Sequence, residues 1–184
     1  MDAKDVGTAF KEMLISEAQM QARLGEIAAE IDRDYRDKNV VVIGVLKGAV
    51  MVVADLLRKL HIDTTMDWMA VSSYGSGTKS SGVVRILKDL DNSVTGRHVL
   101  VIEDIIDSGL TLSWLVSNLK ARGAASVEVF TALRKPEAQV ADVHVKYVGF
   151  DIPNEFVVGY GLDYNEKYRN LPFVATLAPH VYEN

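Results

Sequence analysis

Unbroken apolar runs alternate along this chain with stretches of helical periodicity. Val40 to Leu46 and Val99 to Ile102 are apolar throughout, as strands buried on both faces of a parallel sheet are, and Val127 to Leu133 has β-rich composition. The first run breaks at Lys47-Gly48 and continues as an apolar helix from Val50 to Leu60. The second leads through a polar segment into a helix from Leu112 to Ala121, carried by Leu112, Leu115, Val116 and Leu119 and stopped at Arg122-Gly123-Ala124. Upstream, Ala9 to Ile15 alternates loosely and predicts an opening strand. Ser16 to Gln19 has the spacing of a capping box. Behind it Met20, Leu24, Ile27, Ile31 and Tyr35 recur every three or four residues, the pattern of an amphipathic helix ending near Asp37. Thr64 to Tyr74 predicts a strand with Met66, Trp68 and Ala70 in one phase. Residues 75–82 have almost nothing to bury, Val83 to Leu87 predicts a second strand, and Asp91 to Gly96 a polar turn.

Strands alternating with helices between residues 40 and 135 imply right-handed βαβ crossovers. The fold class expected is α/β, a central mostly parallel sheet flanked by helices. The tail, Val148 to Tyr164, is rich in aromatics and glycine and predicts a small cap of irregular apolar strands.

Composition narrows the function classes. A chain of 184 residues, 48% hydrophobic and 24% charged, suits one globular domain, 1–184, able to bury roughly 70% of its unfolded surface. A net charge of −5 argues against a nucleic-acid-coating surface. With no cysteine there is no disulfide, thiolate metal site or cysteine nucleophile. Met1 to Asp5 lacks the apolar core of a signal peptide, and no run approaches membrane-spanning length, so an intracellular, cytoplasmic protein is expected.

In a parallel sheet, loops that bind phosphate belong at the carboxyl ends of strands. Lys47, Asp104, Asp107 and Lys135 all follow predicted strand ends. The run Val99 to Ile102 ends in two adjacent carboxylates, Glu103 and Asp104, followed by Asp107-Ser108-Gly109-Leu110-Thr111 at a helix start. The free N–H groups of that start, with the neighbouring hydroxyls, can hold a phosphate. The carboxylates suit ribose hydroxyls or a hard cation such as Mg²⁺. The bland alternative is a buried strand with Asp107 as an acidic N-cap. Lys47-Gly48 reads either as strand-to-helix punctuation or as a cation with backbone donors, and residues 75–82 either as a linker or as a mobile lid.

Val101 to Thr111, Val-Ile-Glu-Asp-Ile-Ile-Asp-Ser-Gly-Leu-Thr, resembles the phosphoribosyl-pyrophosphate loop of the type I phosphoribosyltransferases, and most of all that of the hypoxanthine-guanine phosphoribosyltransferases. Val45 to Ala49 is similar to the pyrophosphate loop of that family, which often carries a non-proline cis peptide there. Ser73-Tyr74 matches the start of its flexible loop. Phe156 to Glu166 and Arg169 to Pro172 resemble its base-binding hood. The resemblance runs in order from about Val42 to Pro172. It implies a type I phosphoribosyltransferase-like fold, with a hood formed largely by the segment from about 150 on.

The reaction implied moves the 5-phosphoribosyl group from phosphoribosyl pyrophosphate to N9 of hypoxanthine or guanine, giving IMP or GMP and pyrophosphate, with Mg²⁺. Asp107, Ser108, Gly109, Leu110 and Thr111 would hold the 5′-phosphate, and Glu103 and Asp104 the ribose hydroxyls. Lys47, Gly48 and Arg169 would receive the pyrophosphate, while Glu103, Asp104 and Asp163 would serve as metal ligands. Lys135, Phe156, Val157 and Asp163 would form the base site. Lys135, a donor only, would select a carbonyl at purine C6 over an amino group. Asp107 is the expected general acid–base at purine N7, and Ser73 and Tyr74 belong to the lid. Leu110 departs from the Lys or Arg often found at its position in the family, which leaves the phosphate more dependent on backbone donors. The resemblance also implies a homodimer or homotetramer.

Three rival classes make different demands. A pyrimidine phosphoribosyltransferase would share the loop but not Lys135 and Phe156. A nucleic-acid-binding regulator of this fold would need a basic surface. A phospho-acceptor receiver domain would account for Glu103-Asp104 but not for Lys47-Gly48 or the tail.

Overall fold

A computed structural model of the chain describes residues 7–73 and 84–182. Its elements are β1 (Phe10–Ile15), α1 (Glu17–Asp34), β2 (Val40–Leu46), α2 (Val50–Leu57), β3 (Thr64–Ser73), β4 (Val84–Lys88), β5 (His98–Ile106), α3 (Leu110–Ala121), β6 (Ser126–Arg134), β7 (Tyr147–Asp151), β8 (Val157–Val158), β9 (Val174–Leu177) and α4 (Pro179–Tyr182). The main sheet has the order β4-β3-β2-β5-β6-β7. All neighbours are parallel except β3 and β4.

From Val40 to Ile43 in β2 and from Val99 to Ile102 in β5, side chains alternate between two cores. Val40, Val42, Leu100 and Ile102 pack with Met20, Leu24, Ile27 and Ile31 of α1 and Val52, Val53 and Leu56 of α2. Val41, Ile43, Val99 and Val101 pack with Leu112, Leu115 and Leu119 of α3 on the opposite face. Covered on both faces, these stretches have no polar phase, which is why they are apolar without a break. The α1 capping box forms, with Gln19 N donating to Ser16 Oγ at 3.3 Å and Ser16 N to Gln19 Oε1 at 2.9 Å.

Several element boundaries differ from those expected. α1 closes at Asp34 rather than near Asp37, and Asp37 itself lies at φ 60°. α2 stops at Leu57 rather than Leu60, because Lys59 N and Leu60 N both fold back onto Leu56 O. β5 runs through the carboxylates to Ile106, pairing Glu103 with Thr131 and Ile106 with Arg134, so Asp104 lies inside a strand and not after one. In β3 Met66 is exposed, while Asp67 and Met69 of the opposite phase are buried. Asp67 is tolerated there because its carboxylate accepts from Asp91 N (2.9 Å) and Asn92 N (3.3 Å), tying down the turn before β5.

The second sheet is antiparallel, in the order β1-β9-β8. The N-terminal strand therefore pairs with the C-terminal segment to complete this smaller sheet. Ile15, Val157, Tyr160 and Val174 face the α1–α2 core, while Leu171, Phe173 and Ala175 pack on the other side with Phe10 and Tyr168. The expected lid falls outside the described residues, apart from Ser73 as the last residue of β3. Among the described residues no helix is long and apolar enough to cross a membrane.

Candidate active site

β2 ends in a cis peptide between Leu46 and Lys47, inside the loop where the resemblance implies one. The chain then passes so close to β5 that a Cβ on Gly48 would lie 1.5 Å from Asp104 Oδ2. On its other side Gly161, at φ 99°, sits against the same loop, and a Cβ there would lie 2.0 Å from Gly48 O. Only glycine combines that φ with that approach. The β2 loop, the β5 carboxylates and the turn after β8 are thereby in direct contact.

Glu103 is buried and Asp104 partly so. Burial, reinforced by the neighbouring Asp104 charge, holds the Glu103 carboxyl well above its ordinary range. Burial also raises Asp104, opposed by the Ile105 N–H (2.8 Å to Oδ1) and by the Arg169 charge. Two hard oxygen donors that repel each other in a desolvated place fit a divalent cation, whose charge would reverse the cost of holding both ionised. Among the described residues no group of three or more His, Cys, Asp or Glu side chains is gathered for a metal. A cation held here would take its remaining ligands from water or substrate, as Mg²⁺ commonly does.

Past Ile106 the chain turns through Asp107, Ser108 and Gly109 into α3. Gly109 (φ 77°) is the N-cap and offers no side chain to cap the helix, Asp107 does not take the N-cap position, and Ser108 Oγ accepts only a long bond from Leu110 N at 3.5 Å. Ser108 O is held by Val140 N and Ala141 N, both at 3.1 Å. The result is a cavity of about 140 Å³ lined by Glu103, Asp107, Ser108, Gly109 and Thr111, into which an uncapped helix start opens. That is the arrangement in which backbone donors and the helix dipole hold an anion. The Leu110 side chain is not part of the lining and is exposed.

Lys135 follows β6, and its N–H donates to Ile106 O at 3.0 Å. Its side chain is buried, with Nζ 3.8 Å from Asp107 Oδ2. A buried cation so close to an open carboxylate places a donor and a proton acceptor side by side.

The fourth group comes from the turn after β8. Arg169 donates through Nη1 to Gly161 O (2.8 Å), and its Nη2 meets Asp163 Oδ1 (2.8 Å) and Glu166 Oε2 (3.3 Å). Asp163 Oδ2 accepts from Glu166 N at 2.8 Å, so both of its oxygens are already engaged. Lys47 Nζ reaches Glu166 Oε1 at 3.1 Å. Tyr160, at φ 50° between two glycines, donates to Asp55 Oδ2 at 2.7 Å, and Gln21 donates to the same oxygen at 2.6 Å, which pins this turn to α1 and α2.

Phe156 stands apart from these groups. Its half-exposed ring stacks on Tyr182 (centroids 5.2 Å, 25°) and meets Tyr164 edge-on at 5.8 Å, lining a separate cleft with Lys11 and Glu155. Val157 is buried in β8 opposite Thr176. Glu166, Gly161, Tyr160 and Tyr182 carry no signal of their own in the sequence. Glu166 lies inside the stretch that resembles the hood, and only the folded turn shows it bridging two cations.

A family profile described as "Phosphoribosyl transferase domain" matches residues 12–165. The chain is 55% identical over 180 residues to the hypoxanthine-guanine phosphoribosyltransferase of Mycobacterium tuberculosis, covering 95% of this chain and 89% of that protein. It is 53% identical over 177 residues to the protein of the same name from Bacillus subtilis, covering 95% and 97% respectively. The crystal structure of a hypoxanthine phosphoribosyltransferase from Staphylococcus aureus superposes with a TM-score of 0.96 at 44% identity, over the whole of both chains. With a parallel sheet whose rim gathers an uncapped phosphate-type loop, paired carboxylates and a glycine-tight cationic loop, this chain belongs to the hypoxanthine-guanine phosphoribosyltransferase family of enzymes.

Proposed function

We propose that the protein transfers the 5-phosphoribosyl group of phosphoribosyl pyrophosphate to N9 of hypoxanthine or guanine, forming IMP or GMP and releasing pyrophosphate. The observation that carries this reading is the 3.8 Å approach of Lys135 Nζ to Asp107 Oδ2 at the mouth of the phosphate-type loop. O6 and N7 share one edge of a 6-oxopurine; in the free base whose N9 lone pair attacks, O6 accepts a hydrogen bond and N7–H donates one. Lys135 donates to O6, and Asp107 takes the proton from N7 as N9 attacks C1′ and the bond from C1′ to the pyrophosphate oxygen breaks. Adenine presents an amino group where Lys135 needs an acceptor.

Charge builds on the sugar as the bond to pyrophosphate breaks, as in glycoside cleavage. Backbone N–H groups from Ser108 to Thr111, with the Ser108 and Thr111 hydroxyls, hold the 5′-phosphate, and Glu103 and Asp104 hold the ribose hydroxyls. Lys47, the Gly48 N–H and Arg169 take the pyrophosphate. Glu103 and Asp104, with Asp163, would hold a Mg²⁺ ion, which would supply positive charge to the leaving pyrophosphate. For Phe156 to stack on the base, its ring would have to leave Tyr182 and the cleft it lines with Lys11 and Glu155, and Val157, buried in β8, could offer only backbone groups. The whole chain acts as a single phosphoribosyltransferase domain, a reading supported by the α1–α2 core, which both sheets share. On this reading the enzyme works in the cytoplasm as a homodimer or homotetramer.

The test is a Mg²⁺-dependent assay of nucleotide formation from phosphoribosyl pyrophosphate, with hypoxanthine, guanine, adenine, uracil and orotate offered singly. Product with the first two only is expected. Product with adenine at a comparable rate, or with a pyrimidine instead, would overturn the assignment.

A further inference from the structure

Lys47 and Arg169, assigned above to the pyrophosphate, reach the site from segments more than a hundred residues apart. They are nevertheless joined by one side chain. Glu166 presents Oε1 to Lys47 Nζ at 3.1 Å and Oε2 to Arg169 Nη2 at 3.3 Å. Its backbone is fixed by the bond from its own N–H to Asp163 Oδ2, and its φ of 61° turns the side chain back between the two cations. Lys47 and Glu166 are both exposed. The bridge therefore adds little to stability and is open to exchange with a dissolved anion. Arg169 remains under-satisfied, since its Nε is buried with no acceptor among the described residues.

We propose that Glu166 is a built-in stand-in for the pyrophosphate: a carboxylate that holds Lys47 and Arg169 together and must be displaced when the diphosphate binds. Glu166 is on this view a positioning residue. It keeps the exposed Lys47 beside Arg169, which Gly161 O and Asp163 already anchor, while it competes with the ligand for both, and it recaptures them as pyrophosphate leaves. The proposal rests on the assignment of Lys47 and Arg169 to the pyrophosphate.

The test measures the dissociation constant of Mg²⁺-pyrophosphate by calorimetry for the wild-type protein and for Glu166→Gln, Lys47→Ala and the double variant. Glutamine keeps the size of the side chain and removes the charge. Removing a competitor that makes two exposed ion pairs should tighten pyrophosphate binding about two- to fivefold at low salt. The gain should shrink as salt screens the pairs. In the Lys47→Ala background the same substitution should gain less. Glu166→Gln binding pyrophosphate equally or more weakly, with Lys47→Ala still weakening it, would overturn the stand-in while leaving the pyrophosphate assignment intact. Lys47→Ala binding as tightly as wild type would instead remove the assignment beneath it, and the stand-in with it.

Discussion

Gly161→Ala isolates the contact that joins the turn after β8 to the β2 loop. The substitution adds one methyl group, and two costs follow from where it lands. At φ 99° a side chain is strained by about 1–3 kcal/mol. The new Cβ would stand 2.0 Å from Gly48 O, a backbone atom that no rotamer change can move aside. Left unrelieved, that overpacking adds about 1–3 kcal/mol. The two segments must part, because an ordinary carbon–oxygen contact needs about 3.3 Å, so the Lys47-Gly48 loop is displaced by about 1 Å. Part of the strain is released by that movement, and a stability loss of about 2–4 kcal/mol remains, or roughly 5–15 °C in Tm. A displacement of this size at substrate-positioning groups costs about 10²-fold in kcat/KM. Thermal unfolding and steady-state kinetics with hypoxanthine read the two effects separately. Gly25→Ala is the control, since Gly25 lies inside α1 with nothing within 4 Å of its would-be Cβ. It should raise stability by about 0.5–1 kcal/mol and leave kinetics unchanged. Wild-type Tm and kcat/KM in Gly161→Ala would refute the argument that this contact shapes the site.

Three further outcomes are expected. Asp107→Asn should lower kcat by roughly 10²–10⁴-fold while phosphoribosyl pyrophosphate affinity stays similar, as read by single-turnover kinetics and calorimetry; unchanged turnover would remove Asp107 from the chemistry. Lys135→Gln replaces a donor-only group with an amide that can also accept, so the ratio of hypoxanthine to adenine kcat/KM should fall at least about tenfold, and an unchanged ratio would place base selection elsewhere. Asp34 is held below the ordinary carboxylate range by the Lys146 ammonium (2.9 Å) and the Tyr147 hydroxyl (2.8 Å). A lowered folded-state value gives stability that is present above the unfolded value of about 4 and lost as pH falls through the folded one. Asp34→Asn should accordingly be less stable than wild type at pH 7 in urea titration, and the gap should close below about pH 4.

The sequence carried the parallel sheet because burial on both faces leaves an unmistakable mark: no polar residue interrupts Val40 to Leu46 or Val99 to Ile102. The cap of α1 was equally legible, since a capping box is local chemistry. The loop from Ser108 to Thr111 could be placed because it follows a strand end. What stayed hidden depends on partners distant in the chain. Period-two alternation tells which face a residue takes but not which strand it meets, so the pairing of β1 with β9 had no local trace. Asp67 reads as a solvent-facing interruption until the turn at Asp91 and Asn92 folds over it. Glu166 and Gly161 join the site through Lys47 and Gly48, more than a hundred residues away. The ends of α1 and α2 were overrun because residues of adequate helix propensity continue past turns that tertiary packing closes.

The central claim is that loops from three strands and the turn after β8 meet around one doubly phosphorylated sugar and one purine. The most direct measurement is a crystal structure with phosphoribosyl pyrophosphate, Mg²⁺ and an unreactive 6-oxopurine carrying carbon at position 9. The 5-phosphate should lie on the N–H groups of Ser108 to Thr111, the pyrophosphate between Lys47 and Arg169, and the base with its 6-oxygen on Lys135 and position 7 on Asp107. Sugar and base found in separate cavities, or a base whose 6-oxygen faces away from Lys135, would contradict it.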